Sequence, residues 1–179
     1  MIVLYLSTFD LAVILLFPVV LLTAGLLMQY YNFGKPSEVK NGYIDRQSAK
    51  SIGYYILLGS ASLLVIGLVA PQIEIIPFLA NVELNTTQAT LYSILIAVAE
   101  EQFFRGFLAN YLAKQSMLLG ICGSAAIFTV FHLAVYGTVA STMFYVMASG
   151  LLLAYVGIRS GRLSVPMIVH IINNFGAWL

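Results

Sequence analysis

The chain has 179 residues, of which 61% are hydrophobic and only 8% charged, with a formal net charge of +1. Soluble domains carry about 25% charged residues, so this composition, with a mean hydropathy of +0.96, excludes an ordinary water-soluble globule and a disordered chain. The absence of a basic patch excludes nucleic acid as a partner. At about 20 residues per span, the length holds about six membrane helices with short loops. The expected fold is therefore all-α, a polytopic membrane helical bundle in a lipid bilayer.

The first apolar run is Leu11 to Tyr31, with Ile2 as its earliest start. It lacks a basic leader region and is too long for a signal-peptide core, so a retained span is expected. Pro18 lies mid-span and should kink it. A polar loop, Asn32 to Lys50, leads to span two, about Ser51 to Ala70, which Pro71 stops. The loop Gln72 to Gln88 carries Glu74 and Glu83 and no basic residue. Span three is about Ala89 to Tyr111, span four Met117 to Tyr136, and span five Val139 to Ile158. Arg159 to Arg162 makes a tight turn into span six, from about Leu163 to the end. No repeat or linker divides the chain. A single domain, 1–179, is expected, with a core at about 89–179 and two additional spans in 1–88.

Seven of the eight basic residues fall in loops one, three and five; the eighth, Arg105, lies inside a span. This alternation places the basic loops in the cytoplasm and the N-terminus outside. The expected location is a bacterial or archaeal plasma membrane, or the endoplasmic reticulum in a eukaryote. Asn85-Thr86-Thr87 is a glycosylation sequon on the outer side, relevant only in a eukaryote. Gly120 with Ser124 and Gly150 with Ala154 are small-xxx-small pairs expected to pack helices closely.

Ionisable side chains in mid-membrane cost about 2.5–3.5 kcal/mol each on insertion scales. Here Glu100, Glu101, Arg105, His132 and His170 all fall inside spans, with Asn174 beside them. Residues at i and i+4 share a helix face, so Glu101 and Arg105 should pair. Glu100 points elsewhere, and its partners must come from other helices. His170 and Asn174 are also i, i+4, and His132 adds a third polar group, one turn after Phe128. A buried carboxylate beside histidines is suited to general-base work, and His and Asn can donate to an oxyanion. The set suffices, in kind, to hydrolyse an amide. The bland alternative is a polar network that only fixes packing.

Other protease chemistries lack their residues. There is no GxSxG, and the two aspartates, Asp10 and Asp45, lie in an end region and a loop. The lone cysteine, Cys122, cannot form an intramolecular disulfide. It lies about 280° of rotation from His132, and a small packing role is expected of it. Phe103, Phe104, Phe107, Phe131 and Tyr145 are expected in the core or facing lipid rather than touching substrate.

Glu100 to Arg105 reads EExxxR, Phe128 to His132 reads FxxxH, and His170 to Asn174 reads HxxxN. These motifs, in this order on successive apolar helices, resemble the CPBP family: the type II CAAX prenyl endopeptidases and their bacterial relatives, the Abi proteins. The resemblance covers roughly Thr90 to Leu179. It implies an intramembrane endopeptidase acting on a peptide or protein substrate, lipidated or not. It implies that Glu100 activates the attacking water, that His132 helps to hold it, and that His170 and Asn174 stabilise the oxyanion. Glu101, Arg105 and Phe128 are implied as supporting residues. Asn173 competes with Asn174, but the HxxxN spacing favours Asn174. No cofactor is expected. The alternative is zinc on Glu100, His132 and His170, disfavoured because there is no HExxH and asparagine is a poor zinc ligand. A non-proteolytic immunity or scaffold protein on the same fold and an ion-coupled carrier are the other readings.

One expectation conflicts with this set. At 1.5 Å per residue, His170 lies about 10 Å from the cytoplasmic end of its span and His132 about 22–24 Å from the same end of its own. The two can meet only if a span starts deeper than its pattern suggests or the helices tilt.

Overall fold

The computed structural model describes residues 8–33, 49–69 and 86–176, and all regular structure among them is helical. Helix α1 is Thr8–Phe33 and α2 is Ala49–Val69. Helix α3 is composite: α-helical over Thr86–Glu101, π-helical over Gln102–Ala109, and α-helical again over Asn110–Ala113. Then follow α4 (Met117–Tyr136), α5 (Ala140–Ser160) and α6 (Ser164–Gly176). The two expected loops fall largely at residues 34–48 and 70–85. With Pro71, Glu74, Glu83 and Asn85, they lie outside the described residues.

Local chemistry sets the joints. Ser116 caps α4, accepting a hydrogen bond from the Leu119 N–H at 3.1 Å, which satisfies one of the donors a helix start leaves unpaired. Gly161 ends α5 in the left-handed conformation (φ 65°), where its N–H reaches the Gly157 carbonyl at 3.0 Å. Only glycine adopts that conformation at little cost. Pro166 falls in the first turn of α6, where a missing N–H breaks no helical bond.

Helix α3 is central. Its π segment packs against α1, α4 and α5, while its first part packs against α1 and α6; α2 lies across α5 and α6. Nothing in QFFRGFLA announces the wide turn. At its end the Asn110 side-chain amide donates to the Arg105 and Gly106 carbonyls at 2.8 and 3.2 Å, supplying partners where the helical ladder changes register. The π segment also fits its neighbours closely. A Cβ at Gly25 of α1 would stand 3.0 Å from the Phe103 backbone, and one at Gly106 would stand 3.1 Å from Leu163. The glycine of each small-xxx-small pair makes a close interhelical contact: Gly120 on Ala109 and Ala113, and Gly150 on Ala125.

Polarity is arranged from the inside outward. Gln29, Glu100, Glu101, Gln102, Arg105, His132 and His170 are buried, whereas Leu57, Leu64, Leu68, Leu118, Val130 and Phe144 are each more than half exposed. Cys122 is exposed on α4 and is not the packing residue the sequence suggested. Two helices, within Lys50–Leu68 and Ala140–Ser160, are long and apolar enough to cross a membrane. Lys50, Lys114, Arg159 and Arg162 are exposed, and they gather at one end of the bundle. The Lys114 ammonium donates to the Asn32 carbonyl at the end of α1. Gly106 of α3 meets Leu163 beside the α5–α6 turn, and along α2 Gly59 meets Val169 while Gly67 meets Tyr145, so the Lys50 end of α2 points the same way.

Candidate active site

Three helices supply the polar centre. Glu100 is the last residue but one of the regular α-helical part of α3; His132 lies one turn from the end of α4; His170 lies midway along α6. All three are buried. The depth conflict between the histidines is resolved with α4 starting where the pattern put it. Helix α3 runs on to Ala113, and α4 begins against that extension, with Gly120 on Ala109 and Ala113; α6 begins further in, at Gly106. The starts are thus staggered. Helical side chains also lean toward their own N-terminus, which brings His132 back toward Glu100 and Glu100 outward toward it.

The Glu100 carboxylate stands between the imidazoles. Its Oε1 is 3.7 Å from His132 Nε2 and its Oε2 is 3.7 Å from His170 Nε2. Neither distance is a hydrogen bond. The far nitrogen of each ring is engaged. His132 Nδ1 is 2.8 Å from the Phe128 carbonyl, and His170 Nδ1 is 2.8 Å from Glu101 Oε1. A carbonyl and a carboxylate both accept, so each Nδ1 carries the proton in that contact. In the neutral Nδ1–H tautomer each ring presents an Nε2 lone pair toward Glu100, and four acceptor atoms then converge there.

Glu101 is a junction. Its Oε1 receives Arg105 Nη1 at 3.0 Å as well as His170 Nδ1. Arg105 in turn donates from Nη2 to the Gly150 carbonyl at 3.2 Å and lies over the Phe128 ring at 4.4 Å. Phe128 also packs against the His132 ring, with centroids 4.1 Å apart. The i, i+4 pairing of Glu101 and Arg105 was legible in the sequence; the link from Glu101 to His170 was not, because it joins residues 69 positions apart.

A cavity opens on the other side of the histidines. His132 and Tyr136 of α4, Thr142, Tyr145 and Ser149 of α5, and His170, Asn173 and Asn174 of α6 line it. Tyr145 therefore faces the cavity and not only core or lipid. Its hydroxyl donates to Asn173 Oδ1 at 2.6 Å. Both asparagines of the pair reach the cavity, and Asn174 also leans on the Ser93 carbonyl at 3.4 Å. Tyr136 stacks on His132 with the rings 17° from parallel. Sequence reasoning missed Tyr136, although the i, i+4 spacing from His132 was a usable signal. Of the remaining expected aromatics, Phe104 is fully buried and Phe103 and Phe131 pack around it.

Glu100, His132 and His170 are the residues that zinc would take; among the described residues no group of three or more His, Cys, Asp or Glu is placed to hold a metal ion.

No curated protein and no solved structure matches the chain. A family model does: that of the type II CAAX prenyl endopeptidases, Rce1-like, matches residues 82–176. The match spans the helices that carry Glu100, His132, His170 and Asn174, and it takes in more than half of the chain. Carboxylate, imidazoles and family model point the same way, and the chain belongs to the type II CAAX prenyl endopeptidase (Rce1-like) family.

Proposed function

We propose that this protein is an endopeptidase of six membrane spans that hydrolyses a peptide bond in a membrane-associated or prenylated substrate, using Glu100 to activate water. One observation carries the reading: a buried carboxylate lies 3.7 Å from two imidazole Nε2 atoms, inside a bundle whose outer surface is apolar. The exposed leucines and valines give the bundle a lipid-compatible surface, and the end carrying Lys50, Lys114, Arg159 and Arg162 is the cytoplasmic one.

A water touching both Glu100 Oε1 and His132 Nε2 would be held by two acceptors. Glu100 takes one of its protons as the oxygen attacks the scissile carbonyl. The negative charge on that carbonyl oxygen then needs donors. Asn174 supplies its side-chain amide. Glu100 passes the proton it took to His170 Nε2, 3.7 Å from its Oε2, and the resulting Nε2–H is the second donor, the His170 cation being held by Glu101 through Nδ1. That proton afterwards passes to the leaving amine. No metal takes part.

The test is cleavage of quenched-fluorescent peptides, farnesylated and unmodified, in proteoliposomes. Wild type should cut at least one. Glu100→Gln should lower kcat by about 10²–10⁴-fold, the range of a lost general base. A strong zinc chelator should leave the rate unchanged. Undiminished cleavage by Glu100→Gln sinks the mechanism, and loss of activity with the chelator moves the zinc-dependent reaction ahead.

A further inference from the structure

Serine and threonine inside helices ordinarily return their hydroxyl to the carbonyl one turn back. Three of them do so here: Thr23 to Val19, Ser124 to Gly120 and Thr129 to Ala125, at 2.7, 2.6 and 2.8 Å. Two on α5 do not, and neither does Ser60 on α2, which lies off the cavity. The hydroxyls of Thr142 and Ser149 are buried and have no hydrogen-bond partner among the described residues. Thr142 is fully buried and Ser149 is 6% exposed. Both residues line the cavity beside His132 and His170. Buried polar groups are nearly always satisfied, so two orphans on one cavity wall call for a ligand.

Their spacing says what kind. Thr142, Tyr145, Val146 and Ser149 follow one helix face at i, i+3, i+4 and i+7, and all four line the cavity. Seven residues of helix rise about 10.5 Å, which is the length of about three residues of extended chain. Each hydroxyl can both donate and accept, so either can meet an N–H or a C=O. Between them the Tyr145–Asn173 bond joins α5 to α6, and it is the contact that must open for a peptide to enter.

We propose that Thr142 and Ser149 form a docking strip for the main chain of an extended peptide, which lies along α5 with one peptide group against each hydroxyl. The strip rests on the protease reading for its ligand class. It deepens that reading: the enzyme grips substrate backbone, not side chains, and tolerates varied sequence along this stretch. The hydroxyls are shut away from solvent here, so the peptide enters as α5 and α6 separate around it.

The test uses the full chain in proteoliposomes with one quenched-fluorescent peptide in farnesylated and unmodified forms. Thr142→Val and Ser149→Ala should each raise KM about 3–10-fold, as expected for one lost hydrogen bond, with kcat held within about twofold. Thr142→Ser, which keeps the hydroxyl, should restore the wild-type KM. An unchanged KM in the double variant, or a fall in kcat alone, overturns the strip. Binding of the same labelled peptides is measured in a Glu100→Gln background. If wild type cuts neither peptide but one binds and the hydroxyl variants lose that binding, the protease reading fails and the strip stands. If cleavage proceeds and KM never moves, the strip fails and the protease reading stands. Neither binding nor cleavage of either peptide overturns both.

Discussion

Glu100 and Glu101 are neighbours in the chain and opposites in their surroundings. Among the described residues Glu100 has the two imidazoles at 3.7 Å and no direct hydrogen bond. Glu101 is fully buried and anchors Arg105 and His170 through one oxygen. Their amide substitutions should therefore fail differently. Glu100→Gln removes a charge on which no other group depends for a close contact, so the protein should melt within a few degrees of wild type while cleavage is lost. Glu101→Gln leaves the Arg105 guanidinium buried without its counter-charge. Breaking a buried ion pair from one side costs about 3–5 kcal/mol, and thermal unfolding in matched liposomes should show the loss. A Glu101→Gln protein as stable as wild type would mean that Arg105 is neutralised by something else. These two residues also show how far the sequence could be read. Helix geometry was enough to pair Glu101 with Arg105 and to deny Glu100 a local partner. It could not supply the Glu101–His170 contact or the Tyr145–Asn173 bond, because both depend on how helices distant in sequence are placed in depth and rotation.

At the scale of the helix, the element that the pattern could not show is the π segment of α3. A periodicity of 3.6 residues is the default reading of an apolar run, and the residues 102–109 contain no break in it. The extra turn is stabilised from outside: by Asn110 beneath it, by the bond between Gln102 and Gln29, and by the backbone of α1 against Phe103. The consequence is a prediction about two glycines. Gly25 has the Phe103 backbone where a side chain would go, whereas Gly53 in α2 has nothing within 4 Å. Gly25→Val should cost about 1–3 kcal/mol, as overpacking does, and should weaken cleavage by displacing the helix that carries Glu100. Gly53→Ala should stabilise by about 0.5–1 kcal/mol, the helix cost of glycine. Unfolding midpoints of the two variants, compared in the same lipid, check both signs. Helix existence is more legible in the sequence than helix ends, because an apolar run is local and an end also depends on packing. Met117–Tyr136 is framed by Ser116 and Gly137 in the sequence itself, whereas α3, over Thr86–Ala113, runs a few residues past its expected limits.

For the whole molecule, the surrounding solvent decides stability. A bundle with buried charges and an exposed coat of leucine, valine and phenylalanine is stable only where the surroundings are apolar. Composition alone foretold this inversion, since 61% hydrophobic residues cannot all fit inside 179. Cys122 offers a direct probe. It is the only cysteine, it is exposed, and it lies five residues into α4, about 7.5 Å from the helix start. If the six helices span the bilayer, its thiol faces acyl chains. A membrane-impermeant, charged maleimide should then leave Cys122 unlabelled in intact proteoliposomes and modify it fully after unfolding in detergent, while an apolar pyrene maleimide should reach it from within the lipid. Gln115→Cys in a Cys122→Ser background provides the matched control, because residue 115 sits in the exposed turn before α4. The charged reagent should label that position from one side only, the side that bears Lys50, Lys114, Arg159 and Arg162. Prompt labelling of Cys122 by the charged reagent would mean that water reaches the coat, and the six-span embedding, with the protected chemistry it implies for Glu100, would have to be abandoned.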